Sequence, residues 1–260
     1  MSSPLLELRG LRKAYGGQPA LEALDLSVSA GEIAGFIGPN GAGKTTTIKI
    51  ACGLAFPDAG TVTVNGHRLN GSDKETRAAK MALGLLPDRP YLYEKLTGRE
   101  YLFFVAGLYG VKKADAAAHL KIMADRFAMH EYLDRPIEGM SHGMKQKTAL
   151  AAALVHRPAV FICDEPLVGL DPQGAREFTA LLGDLKKAGR AILMSSHTLH
   201  HVEQVCDRVV MLFRGRKIAE GTVAEIKTQT GATGPLEDAF MQMTREEDEN
   251  AAGAKIADRK

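Results

Sequence analysis

The stretch Gly38-Pro39-Asn40-Gly41-Ala42-Gly43-Lys44-Thr45-Thr46 leaves few folds open to this chain. It follows the apolar run Ile33-Ala34-Gly35-Phe36-Ile37 and leads into a helical pattern from Thr45 to Gly53. A buried strand ending in a glycine-rich turn that opens a helix cradles phosphates with backbone N–H groups. Its lysine neutralises the outer phosphates and the next hydroxyl meets magnesium. Residues 38–46 therefore predict a bound nucleoside triphosphate, with Lys44 on the phosphates and Thr45 on Mg2+. A plain glycine turn would need its glycines, the lysine and the hydroxyl to fall into register by chance.

A second run, Ala159-Val160-Phe161-Ile162-Cys163, ends in Asp164-Glu165-Pro166. Ligands of open parallel sheets sit beyond the carboxyl ends of the strands, and adjacent strand residues point to opposite sides. On that pleat argument Asp164 holds the magnesium shell and Glu165 faces the attacking water as general base. Standing alone, Asp-Glu-Pro would only cap a strand. A third apolar run, Ala191 to Met194, delivers Ser195-Ser196-His197 to the same sheet edge, where His197 is placed to meet a terminal phosphate. His200 and His201 read as solvated positions on the following helix. Ser141-His142-Gly143-Met144-Lys145-Gln146 opens a helix to Val155. Its N–H groups suit an anion, and ordinary capping explains Ser141 equally well.

The rest of the chain supplies the frame. Leu5 to Leu8 and Leu24 to Val28 alternate as half-buried strands, and Thr61 to Val64 with Asn65-Gly66 enters a tight hairpin of the same sheet. Tyr15 lies between the first two, available either to stack on a base or to pack on the sheet. Residues 75–82 read as helix and Leu83 to Leu86 as a short strand, with Pro87-Asp88-Arg89-Pro90 forcing an irregular connection. Thr97-Gly98-Arg99-Glu100 is a capping box; together with Ala114 to Ala128 and 141–155 it predicts a helical insert over about 90–155. The fold class is α/β: a P-loop NTPase core with a mostly parallel sheet, an antiparallel β-subdomain and a helical insert subdomain.

Composition narrows the partners. A formal net charge of +2 is too small for a dedicated polyanion binder, so no nucleic acid is expected. No apolar run approaches the roughly 20 residues that cross a bilayer. The unclustered Cys52, Cys163 and Cys206 indicate neither a disulfide framework nor a metal site. These features point to a soluble chain in a reducing cytosol. Residues 1–240 read as one nucleotide-binding domain and 241–260, with Arg245-Glu246-Glu247-Asp248-Glu249, as a disordered charged tail.

Taken together, these motifs in this order resemble the ATP-binding subunit of an ABC transporter, over nearly all of residues 5–240. The resemblance places Tyr15 at the adenine-stacking loop, Gly38 to Thr46 at Walker A, Ser141 to Gln146 at the signature motif and Phe161 to Glu165 at Walker B. Gly169-Leu170-Asp171-Pro172 matches the D-loop and His197 the switch histidine. It implies ATP and Mg2+ as cofactors and a homodimer or heterodimer closing head to tail. Ser141 and Gly143 of one copy then grip the γ-phosphate held by Lys44 of the other. It also implies a multi-span membrane permease as partner, a place on the cytoplasmic face of the membrane, and coupling through the helical insert.

Two motifs depart from the family's commonest pattern. The signature reads Met-Ser-His-Gly-Met, with His142 and Met144 where glycine and glutamine are usual. Asp88 stands where a glutamine normally reaches the metal and the attacking water. Asp88 is therefore expected to act on magnesium and water, through a shorter arm without an amide donor. Both departures are similar to the branch that serves separately encoded exporters. The alternatives are a soluble ABC ATPase that remodels a cofactor or nucleoprotein complex, and a regulatory module with little turnover. The set of Asp164, Glu165 and His197 disfavours the latter.

Overall fold

The computed structural model describes residues 3–257. The chain opens with an antiparallel hairpin, β1 (Leu6–Tyr15) and β2 (Gln18–Val28), joined by Gly16-Gly17. Both glycines have positive φ, 56° and 81°, as a type I′ turn requires. A Cβ at either would meet nothing within 4 Å, so the backbone conformation and not crowding selects glycine. The chain then crosses to β3 (Ile33–Ile37) in a second sheet, runs through α1 (Lys44–Ala51), and returns as β4 (Ala59–Val64) and β5 (His67–Leu69). The first sheet has the order β2-β1-β4-β5, all antiparallel.

Next come α2 (Asp73–Met81), β6 (Leu83–Leu86), and the insert, made of α3 (Gly98–Leu108), α4 (Lys113–Phe127) and α5 (His142–Leu154). The expected capping box holds: Thr97 accepts from Glu100 N while Glu100 accepts from Thr97 N at 2.9 Å. The core resumes with β7 (Val160–Asp164), α6 (Pro172–Lys187), β8 (Ala191–Ser195), α7 (Leu199–Val205), β9 (Arg208–Phe213) and β10 (Arg216–Gly221), and ends in α8 (Val223–Thr230) and α9 (Leu236–Ala257). The second sheet runs β10-β9-β3-β8-β7-β6, parallel except for the β10 edge.

Strand alternation divides the interior in two. Phe161, Ile192, Met194 and Met211 point to the helical side, where they pack with Leu120, Phe127, Leu150 and Phe178. Phe36, Ile162, Leu193 and Val210 point to the other side, against Ile48 and Ile50 of α1 and the leucines of the antiparallel sheet. A parallel sheet covered on both faces must be apolar on both, and every residue of β3 and β8 is buried. Arg208 ties the layers together, donating to Glu32 at 2.6 Å and also to Glu220 and the Ser27 carbonyl.

Helix α9 crosses residue 240, where sequence reading sets the start of a tail. Leu236, Ala239, Phe240 and Met243 recur at the spacing of one helical face and pack on the core. That stripe carries the helix into the charged segment.

Candidate nucleotide-binding site

The loop after β3 is held by close backbone packing. A Cβ at Gly38 would collide with the Leu212 carbonyl of β9, and one at Gly43 would lie 2.6 Å from the Ala20 carbonyl. Gly41 and Gly43 also carry positive φ, 80° and 109°. The loop carbonyls of Gly38 and Pro39 accept from the Lys44 ammonium, the latter at 3.2 Å, so only 9% of Lys44 is exposed. Burial lowers the Lys44 pKa, while Glu165 and then Asp164 oppose that shift, which places both carboxylates within its field. Helix α1 has Gly43 as its N-cap, with no side-chain cap and no acidic residue in its first turn. Its N-terminal N–H groups and positive dipole end are left for an anion.

Three neighbouring strand ends converge here. β3 delivers the loop, β7 delivers Asp164, and β8, lying between them in the sheet, delivers Ser195 and the residues after it. Ser195 Oγ donates to Asp164 Oδ1 and so fixes the carboxylate's rotamer. The next residue breaks from the strand: Glu165 has φ 48°, in the left-handed region that a residue with a Cβ seldom adopts. The two carboxylates are thus separated by a backbone turn and not by the strand pleat, which corrects the expectation from alternation. The turn is pinned by Glu165 N donating to the Ser195 carbonyl at 3.1 Å. Glu165 Oε2 lies 2.9 Å from His197 Nδ1 and accepts from Ser196 Oγ at 3.3 Å.

Sequence reading passed over Ser195 and Ser196. The available signal was two hydroxyls closing an otherwise apolar strand just before His197. His200 is exposed as expected, whereas His201 is half-buried with its Nδ1 enclosed.

Asp88 joins the cluster from the β6 side. It lines a cleft of about 510 Å³ together with Thr45 and Asp164. A second hollow of about 470 Å³ brings Asp88 and His142, one departure from each of the two motifs, together with Arg89 and Lys145.

Ser141 and Gly143 stand apart from the lysine loop and share no hydrogen bond with it among the described residues. Ser141 caps α5, its Oγ accepting from Met144 N at 3.3 Å, and is exposed. Gly143 approaches the Gly169 carbonyl so closely that a Cβ would lie 2.5 Å from it, and the His142 ring covers Gly169, whose φ is 83°. Tyr15 sits at the tip of β1, 52% exposed.

Residues 21–168 match the ABC transporter family. The linearmycin resistance ATP-binding protein LnrL of Bacillus subtilis (strain 168) is 34% identical over 92% of this chain and 75% of its own length. The daunorubicin resistance ATP-binding protein DrrA3 of Streptomyces coeruleorubidus is 36% identical over 89% of this chain and 72% of its own. A solved structure of an ATP binding subunit of an ABC transporter superposes with a TM-score of 0.87 at 35% identity, over 92% of this chain and 99% of that one. The chain belongs to the ABC transporter family, as one of its ATP-binding subunits.

Proposed function

We propose that this subunit performs Mg2+-dependent ATP hydrolysis to power export through a separate multi-span permease, working as a homodimer or heterodimer on the cytoplasmic face of the membrane. One observation carries the reading: Lys44, Asp164, Glu165 and His197 meet at the ends of adjacent strands. In the proposed roles, the loop from Gly38 through Pro39, Asn40, Gly41, Ala42 and Gly43 to Thr46 wraps the phosphates, Lys44 neutralises them and Tyr15 stacks on the adenine. Glu165 takes the proton of the attacking water, and His197, its Nδ1 2.9 Å from the Glu165 carboxylate, lies where it can reach the γ-phosphate.

The donor set fits magnesium. Thr45, Asp164 and Asp88 offer only hard oxygens, all on the wall of one cleft. A magnesium ion held by these oxygens would supply charge neutralisation for the phosphates. Ser195 holds the Asp164 carboxylate ready for that ion.

Ser141 and Gly143 are exposed or half-exposed at a helix N-terminus, outside their own lysine loop. That placement supports their use on the nucleotide of a second copy. The names of the relatives, concerned with linearmycin and daunorubicin resistance, support export.

The permease would dock on the aromatic surface around the large cleft. Tyr91 is 95% exposed, Leu54 and Leu108 are also exposed, and Tyr93 packs edge-on against Phe104 at 5.3 Å. Contiguous exposed apolar surface of this kind marks a protein contact. No helix among the described residues is long and apolar enough to cross a membrane. Purification from the native membrane in detergent should recover a multi-span partner, and ATP turnover should vanish with EDTA and return with magnesium. Turnover indifferent to magnesium would overturn the assignment of Thr45 and Asp164.

A further inference from the structure

Residue Asp58 lies outside every motif read from the sequence, yet it bonds to the three consecutive residues that precede Tyr15. Its N–H donates to the Arg12 carbonyl at 2.8 Å, its Oδ1 accepts from Lys13 Nζ at 2.8 Å, and its Oδ2 accepts from the Ala14 N–H at 2.7 Å. The reason lies in the sheet. The β1–β4 ladder ends at the pair Arg12↔Ala59, and β1 is irregular between Lys13 and Ala14. Beyond that point β4 offers no strand carbonyl to the Ala14 N–H, and the carboxylate takes its place. The pinned Lys13 ammonium in turn stands 5.4 Å from the centroid of the Tyr15 ring, at a cation–π distance. Lys13 is only 18% exposed at its side chain, so it is not a freely waving surface lysine.

The loop that carries Asp58 is the return from the phosphate helix. Helix α1 starts at Lys44 and ends at Ala51, and Leu54 and Ala55 donate back to the Lys49 carbonyl at 2.8 and 3.2 Å. Residues 52–58 therefore run from the C-terminal end of the phosphate helix, the end away from the lysine loop, to the tip of β1.

We propose that Asp58 and Lys13 are positioning residues for the nucleotide base: the Asp58 carboxylate fixes the irregular end of β1, and Lys13 covers one face of Tyr15 so that the other receives the base. This rests on the reading of Tyr15 as the stacking platform. A solvent-exposed ion pair alone is worth little. Here the same carboxylate also satisfies a backbone donor, and the ordered element is the one that carries the ring.

The test separates the base from the phosphates by comparing binding of ATP with binding of inorganic tripolyphosphate, each with magnesium, on the full chain. Tyr15→Ala should weaken ATP about tenfold and Asp58→Ala about fivefold, the range expected for lost or loosened base stacking. Lys13→Met, which keeps the aliphatic stem, should fall beside Asp58→Ala. Tripolyphosphate should bind all variants as it binds the parent, and Tyr15→Ala/Asp58→Ala should bind ATP no worse than Tyr15→Ala alone. If Tyr15→Ala weakens ATP while Asp58→Ala and Lys13→Met do not, the clamp is wrong and stacking stands. If Tyr15→Ala itself changes nothing, the stacking reading fails. Equal losses of ATP and tripolyphosphate in Asp58→Ala and Lys13→Met would show an effect on the fold or the phosphate loop and would also overturn the clamp.

Discussion

Glu165 combines the two properties that a general base for water needs: a fixed carboxylate and a neighbour that can share the proton. Its left-handed backbone, bound to the Ser195 carbonyl, turns the side chain toward Ser196 and His197. Glu165→Gln keeps the size and removes the basicity, so it should bind ATP as tightly as the parent. Turnover should fall by about a hundredfold to ten-thousandfold, the usual worth of a positioned base, as a phosphate-release assay will show. Gly38 poses a different constraint at the same scale. The atom that a Cβ there would strike is the backbone carbonyl of Leu212, buried in a central strand, and it cannot swing away as a side-chain tip can. Gly38→Ala should therefore destabilise the fold by about 1–3 kcal/mol and lower the urea midpoint. The placement of Lys44, Asp164 and Glu165 beyond strand ends was legible in the sequence because each lies past an apolar run that reads as a buried strand. The left-handed turn at Glu165 was not, since nothing in Asp-Glu-Pro distinguishes a continued pleat from a kink.

Two half-buried imidazoles tie the insert together and to the core. His119 of α4 lies 2.8 Å from the Ala151 carbonyl of α5, and His156, just past α5, lies 2.8 Å from the Leu83 carbonyl of β6 while stacking on Tyr109 at 3.7 Å. Burial lowers the pKa of both; the carbonyls oppose the shift, and Arg157 beside His119 and His119 beside His156 reinforce it. Above about pH 6.5 these imidazoles are neutral folded or unfolded and contribute no pH dependence. As pH falls below that value the unfolded chain takes up protons that the folded chain resists, so stability drops until the lowered folded pKa values are passed. The melting temperature should therefore decline with acid over that window. His156→Gln, whose amide can still donate to Leu83 without titrating, should flatten the decline in a thermal melt series. At this scale the helices were legible from capping boxes and apolar periodicity, down to Thr97. The contacts between elements were not, because a histidine that bonds to a carbonyl of another element leaves no trace in local spacing. The same limit hid Asp58, whose partners lie 44 to 46 positions earlier in the chain.

A single copy holds both halves of the proposed engine but keeps them apart: the lysine loop at the end of β3, and Ser141 at the start of α5. Gly143 and His142 are packed on Gly169, so the signature loop is braced against the segment that leads to Asp171 and α6. A braced loop with an exposed serine at a helix N-terminus is suited to receive a phosphate carried by another molecule. With a net charge of only +2, two copies meet without strong mutual repulsion. In the proposed sandwich the nucleotide's γ-phosphate is the bond that either protein surface lacks alone. Glu165→Gln, loaded with ATP and magnesium, should accordingly elute as a dimer in size-exclusion chromatography, and with ADP as a monomer. Adding Ser141→Arg in that background should abolish the dimer while leaving ATP binding to the monomer intact, because the arginine blocks the partner's phosphate and not the copy's own. A dimer that survives Ser141→Arg, or a Glu165→Gln chain that stays monomeric at saturating ATP, would show that the nucleotide is not held between a lysine loop and a neighbouring signature helix.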